Sequence, residues 1–355
     1  MTEAVENPVL TRVENRVGRL TLNRPQALHA LTRPMCDAMI AALMAWKDDA
    51  AVEVVMIDHT GPRGFCAGGD IRMLAESGAG DGAAARAFFH AEYRLNHLLF
   101  VYPKPVVAFM DGVTMGGGVG LSQPARVRIA TERTTYAMPE TGIGLFPDVG
   151  GGWFLPRLPG HTGIWLGLTG ARLKSADCLA LGVATHVVDS ARLDALKGEI
   201  LEDPQAVFGA PELYASSPGV APIQAHRGQI DRLFAFDTVE EIVAALGAEG
   251  SDWALAQLAI LETKSPQALK VSLRAMRLGA KATSFAEEMA REYRLGGNVV
   301  RTHDFQEGVR AVIVDKDNAP KWSPSRLAAM TEPALDALFE TEPPEGAWTP
   351  LADLG

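Results

Sequence analysis

The chain of 355 residues is 47% hydrophobic and 21% charged, ordinary globular usage that argues against a disordered protein and leaves room for a main domain plus a substantial extension. Its 33 basic and 43 acidic residues give a net charge of −10 without a basic stripe, so no nucleic-acid partner is expected. Three cysteines, Cys36, Cys66 and Cys178, form no CxxC pair, which speaks against a disulfide framework or zinc ribbon and for a reducing, cytoplasmic setting.

No run approaches the roughly 20 apolar residues of a spanning helix, so no membrane partner is expected. The stretch "MTEAVENPVL" lacks the basic and then apolar regions of a secretory leader. From there, "VENRVGRLTLNRP" (13–25) alternates around an Asn-Arg turn and predicts a β-hairpin ended by Pro25. "LTRPMCDAMIAALMAWKDD" (31–49) predicts a helix with Thr32 as N-cap and Met35, Met39, Leu43 and Trp46 on one face. An apolar strand, "VEVVMID" (52–58), leads into the loop "HTGPRGFCAGGD", with a helix starting at "IRML" and another over 83–99.

The same order then recurs. "PVVAFMDG" (105–112) reads as a buried strand, "VTMGGGVG" (113–120) as a glycine-rich turn, "LSQPA" as the start of a short helix, and 126–138 as strand again. Repeated strand–turn–helix units predict a layered α/β core. After 180–190, helical patterns take over at 238–247, 251–261, 266–280 and 284–296. The linker-like "SSPGVAPI" (216–223) suggests a core over 1–225 and a helical region over 226–355.

Two glycine-rich loops stand out. "FCAGGD" (65–70) precedes a helix, where outward N–H groups make a site for negative charge, although a plain structural turn would read the same way. "MGGGVG" (115–120) carries three successive glycines, which cost conformational entropy and imply a close approach of backbone or ligand. If both turns converged on one oxygen they would form an oxyanion hole, where one donor accounts for ~3 kcal/mol of barrier. The fingerprints of P-loop enzymes, Rossmann domains, α/β-hydrolases and HExxH proteases are absent, and the eight histidines show no metal-ligand spacing.

The stretch "AMPETGIGLFPDVGGGW" (137–153) holds Glu140 and Asp148 in apolar, glycine-rich chain with no basic residue. Buried acids of this kind are paired or functional, and an apolar wall raises a carboxyl pKa toward neutral. The alternative is that they cap a helix after Gly152 or lie in solvent.

Together, "GFCAGGDIRML", "MDGVTMGGGVGLS" and "AMPETGIGLFPDVGGGWFLPRLPG" resemble the enoyl-CoA hydratase/isomerase (crotonase) superfamily, and within it the 3-hydroxyisobutyryl-CoA hydrolases. "EYRL" (292–295) and "DFQEGVRAVIVDKDNAPKWSP" (304–324) are similar to the end of that subgroup, so the likeness spans nearly the whole chain. It implies an α/β spiral of ββα units with a helical C-terminal region, and hydrolysis of a short, branched 3-hydroxyacyl-CoA thioester in valine catabolism. It places the oxyanion donors at Ala67 and Gly117, the catalytic acids at Glu140 and Asp148, and another acid near substrate at Glu92. Gly68, Gly69, Asp70, Ile71 and Gly116 are expected to border the substrate.

Where hydratases of the family carry a second glutamate, this sequence has Gly120, which favours attack on the thioester carbonyl over addition of water to a double bond. A hydratase or isomerase working with Glu140 alone is the nearest rival. A non-catalytic acyl-CoA-binding member is another, but it would have no need to retain both acids. No metal or redox cofactor is implied, since coenzyme A is part of the substrate. Relatives form trimers and hexamers through their C-terminal helices; the longer region here is compatible with that or with a monomer that covers its own site.

Overall fold

In the computed structural model, residues 7–352 are described; the first six residues of the stretch read for a leader lie outside them. The entry hairpin pairs β1 (Val9–Glu14) with β2 (Val17–Leu22) antiparallel, and Asn15 and Arg16 take positive φ of 46° and 67°. That geometry matches the strand twist, as a two-residue hairpin requires. From β2 onward the large sheet is parallel, through β3 (Val54–His59), β5 (Val106–Met110), β7 (Val127–Ala130) and β9 (His186–Val187).

A second sheet is built from short parallel strands, β4 (Gly64–Cys66), β6 (Val113–Met115) and β8 (Thr135–Ala137). Each turn of the chain therefore adds one strand to each sheet: β3 then β4, β5 then β6, β7 then β8. Sequence pattern read β4 and β6 as loop and merged β8 with β7 into one strand over 126–138, because three residues are too few to show a period of their own. "VTM" is β6 rather than part of a turn, and the following helix starts at Gly117, four residues ahead of "LSQPA".

Helices α1 (Arg33–Lys47), α2 (Ile71–Gly78), α3 (Ala83–Phe100) and α4 (Gly117–Ser122) fill the crossovers. Both faces of the large sheet are covered, as a parallel sheet demands. Val55 and Ile57 of β3 join one apolar cluster, and Val54 and Met56 join another with Leu196 and Ile200 of helix 193–202.

The C-terminal helices span Val239–Glu249, Asp252–Glu262, Pro266–Ala280 and Phe285–Val299, close to the predicted bounds. Thr238, Ser251, Ser265 and Ser284 cap them, each side chain accepting the N–H three residues on. They pack on the core, not apart from it: one cluster runs from Val9 through Phe89 to Met289 and Trp348. No break in packing or in secondary structure falls at residue 225: the last strand among the described residues is β9, and helix 193–202 precedes residue 225 as the long helices follow it.

Asp58, at the end of β3 and fully buried, ties helix 193–202 to the sheet. It accepts from Arg19 (2.6 Å) and Thr21 (2.6 Å) and pairs with Lys197 (3.1 Å). Burial alone would push its carboxyl up, but Lys197 and Arg19 together hold it below the ordinary value. Asp58→Ala strands two cations and should cost about 3–5 kcal/mol in urea unfolding at pH 7. Because the folded carboxyl lies below its unfolded value of about 3.9, the wild-type advantage should shrink as pH falls through that range.

Candidate active site

β4 and β6 deliver the two glycine loops to one place. The turn 67–70 follows β4, and Gly116, with φ of 47° and ψ of −119°, follows β6 and admits only glycine. The loops nearly touch: a Cβ on Gly116 would lie 3.1 Å from Gly68 Cα, and one on Gly68 would lie 3.9 Å from Gly117 N. Ala67, Gly68, Gly69, Ile71, Glu92, Gly116, Gly117, Glu140 and Asp148 all line a single cavity of about 70 Å³. Asp70 does not; its carboxylate caps α2 by accepting from Met73 N (3.4 Å) and pairs with Arg24 (3.3 Å).

The backbone donors need one correction. Ala67 N–H donates to Leu28 O (3.0 Å), so it is not free to hold a substrate oxygen. Leu31 N–H donates to Gly68 O (2.8 Å), and Leu31 O accepts from Asp70 N–H (3.0 Å). In this parallel bridge the intervening Gly69 N–H faces away from Leu31, and it has no backbone acceptor among the described residues. Gly117 N–H opens α4, where the first donors have no intrahelical partner. Gly69 and Gly117 thus offer one free N–H from each loop. Sequence could not show this, because the pairing of Leu28 and Leu31 with the loop is tertiary.

Glu140 begins a 3₁₀ turn (Glu140–Ile143) after β8, and Asp148 ends the loop that follows. Each is only 6% exposed. Ile143, Leu145, Val149, Phe88 and Phe89 wall the cavity, and no Lys, Arg or His lines it among the described residues. Burial drives Glu140 well above the usual carboxyl range, and the charge of Asp148 adds to the effect. Burial pushes Asp148 up to about 6, opposed by the hydroxyl of Tyr93, which donates to Oδ2 at 2.8 Å. Glu92, on α3, is raised well above the usual range by burial and then by Asp148. Glu140 Oε2 and Glu92 Oε1 have no protein partner. These groups hold fewer charges than carboxyls at neutral pH, so protonated acid and carboxylate coexist in one cavity.

The idea that Glu140 and Asp148 cap the helix after Gly152 fails. The N–H groups of Gly150 and Gly152 donate instead to Glu292 (2.8 and 3.1 Å) on helix 285–299. Glu292 and Tyr93 are the site residues that sequence reading missed. Tyr93 follows Glu92 and Glu292 opens "EYRL", but nothing local says that either reaches the Asp148 loop. Gly120 also gains a physical meaning, since a Cβ there would lie 2.6 Å from Asn96 Nδ2 and 2.7 Å from Val149 Cβ. There is no room for a glutamate.

With two layered sheets, paired loops and buried acids in place, the comparisons are specific. The chain matches the enoyl-CoA hydratase/isomerase family over residues 17–339 and belongs to that family, with its crotonase-type fold. It is 45% identical to 3-hydroxyisobutyryl-CoA hydrolase, mitochondrial, of Danio rerio, covering 96% of this chain and 91% of that protein. The Homo sapiens protein of the same name is 42% identical, with 96% and 90% covered. Among solved structures, a carnitinyl-CoA dehydratase from Mycobacterium thermoresistibile is 40% identical with a TM-score of 0.93, covering 98% of this chain and 100% of the other.

Two outcomes follow for stability. Gly120→Ala should cost about 1–3 kcal/mol by overpacking, measured by urea unfolding. Below the unfolded carboxyl value near 4, folded and unfolded forms of Glu140 and Asp148 are both protonated. Above it the unfolded chain releases protons that the folded chain keeps, so these acids lower stability as pH rises. Glu140→Gln should therefore raise the thermal midpoint at pH 7, on the order of 3 °C, with the gain vanishing near pH 4.

Proposed function

We propose that this chain hydrolyses the thioester of a short, branched 3-hydroxyacyl-CoA, 3-hydroxyisobutyryl-CoA foremost, as in valine catabolism. The carrying observation is a pair of buried carboxyls, Glu140 and Asp148, facing two free N–H groups across a cavity with no space for a second hydratase glutamate at Gly120. Relatives more than 40% identical over nearly the whole chain bear the name of that hydrolase, which supports the substrate.

The acyl oxygen sits between Gly69 N–H and Gly117 N–H, which stabilise charge as the carbonyl becomes tetrahedral. Glu140 acts in one of two ways. It attacks the carbonyl carbon, expelling the thiolate and leaving a mixed anhydride that water cleaves, or it takes a proton from a water that attacks instead. Asp148 carries the proton to the departing sulfur. In the empty cavity burial holds a proton on Glu140 more firmly than on Asp148, so the working form requires that proton to pass from Glu140 to Asp148 before attack. Glu92 orients the substrate hydroxyl. Coenzyme A enters as part of the substrate, and no step draws on a metal or redox cofactor. The small cavity volume supports a short acyl group.

The rival reading, an enoyl-CoA hydratase or isomerase, takes support from the solved relatives titled dehydratase and hydratase. It leaves Glu140 without the second glutamate. The packing of the C-terminal helices on their own core is compatible with a monomer and with a trimer or hexamer alike. Three buried, unbridged cysteines suit a reducing compartment, the cytoplasm by our reading, while the vertebrate relatives are named mitochondrial. Among the described residues no helix is long and apolar enough to cross a membrane.

Glu140→Gln and Asp148→Asn should each slow thiol release from 3-hydroxyisobutyryl-CoA by about 100-fold or more, the scale of a lost acid–base group. Near-normal release in both would sink the assignment, as would faster loss of the crotonyl-CoA chromophore than thiol release in the parent. One turnover in oxygen-labelled water separates the routes. Label in Glu140 with unlabelled product marks an anhydride opened at the Glu140 carbon; label in the first product marks water attacking the substrate acyl carbon, and trapping of an acyl-enzyme by hydroxylamine then tells the anhydride from direct attack.

A further inference from the structure

The chain after Asp148 runs through a turn that local interactions do not justify. Val149, a β-branched residue, has φ of +52°, and Gly150 has φ of +90°. A β-branched side chain in the left-handed region is strained, and such a residue persists only where its surroundings over-determine it. Within the turn the closing bond is Gly151 N–H to Asp148 O (2.7 Å). The helix that follows, Gly151–Phe154, is a single turn and supplies little holding power of its own.

The hold comes from 140 residues away. Glu292 is 1% exposed, and its two oxygens separately accept Gly150 N–H (2.8 Å) and Gly152 N–H (3.1 Å). No cation pairs with it among the described residues; its neighbour Arg291 serves Glu287 (3.0 Å) and Glu288. A buried carboxyl without a cation is costly, so its retention needs a reason. Glu292 does not line the cavity, which removes direct chemistry as that reason. On the other side, Tyr93 of α3 grips the Asp148 carboxyl.

We infer that Glu292 is a positioning residue: its carboxyl, delivered by the C-terminal helix 285–299, bridges Gly150 and Gly152 and holds the strained Val149 turn in the shape that presents Asp148 to the thioester. Asp148 is thus fixed at two ends, its side chain by α3 and its backbone by the C-terminal region. The helix also restricts the turn to glycine, since a Cβ on Gly150 would lie 2.9 Å from the Phe285 ring. The inference rests on the proposed role of Asp148, and the experiment separates the two.

Thiol release from 3-hydroxyisobutyryl-CoA is measured for the full chain with Glu292→Gln, Asp148→Asn and both together. Glutamine keeps the size but sets an amide N–H₂ against a backbone N–H. The expected result is a kcat reduced about tenfold or more with KM within about twofold, the signature of a lost transition-state alignment. Glu292→Gln should add almost nothing to Asp148→Asn, because both act through one group. A purely structural role would move neither selectively. A kcat within about twofold of the parent, or losses that multiply in the double variant, overturns the clamp while Asp148→Asn stays impaired. Full activity in Asp148→Asn overturns the clamp together with the site reading. Val149→Gly provides the second arm, because glycine takes positive φ without strain. In that background Glu292→Gln should cost at least about fivefold less in kcat and should yield folded protein even where the single variant does not. An undiminished loss, or no recovery of folded protein, overturns the inference.

Discussion

Two carboxyl groups are buried in an apolar cavity without a cation to neutralise them, and much of the surrounding structure answers that constraint. An ionised carboxylate in such a setting would be prohibitively unstable, so the pair retains a proton well into the neutral range. The same burial makes one group able to donate while the other can accept or attack. Chemistry and instability therefore share a cause, and the stability of the domain has to come from elsewhere: the doubly covered parallel sheet, the Asp58 ion cluster and the continuous apolar core.

Glycine is what brings the remaining parts within reach. Gly68 and Gly116 let two loops approach at backbone contact, which puts donors from consecutive turns of the spiral side by side. On the inner side of α4, a Cβ on Gly117 would lie 2.8 Å from Glu92 Oε1, and one on Gly120 would meet Asn96. α3 can then lay Glu92 and Asn96 against that glycine face. Gly120 is accordingly more than the loss of a hydratase glutamate; it is the space that another polar side chain now fills.

Much of this was legible without coordinates. The long helices announced themselves through apolar period and through Thr238, Ser251, Ser265 and Ser284 at their starts. The buried strands showed as β-branched runs, and the two acids stood out because nothing basic was near them in the chain. What failed to show was short or non-local. Strands β4 and β6 are three residues each, below the length at which alternation can be seen, and β8, equally short, was not told apart from β7. Asp70 looked like part of the substrate loop, yet its short side chain satisfies the first turn of α2, a role that depends on the helix beginning where it does.

The resemblance to a family supplied the spiral and the missing second hydratase glutamate; residue types and their order by themselves marked a layered α/β core, two glycine loops and two acids set in apolar chain. Those features are local, carried by side-chain period, by glycine and by charge. Which N–H groups are free, and which distant residues steer Asp148, was decided only by tertiary structure. Ala67 is removed as a donor by Leu28, and Glu292 enters from the last third of the chain. A backbone donor carries no mark in the sequence of the acceptor it will meet, because that meeting depends on how separate elements pack.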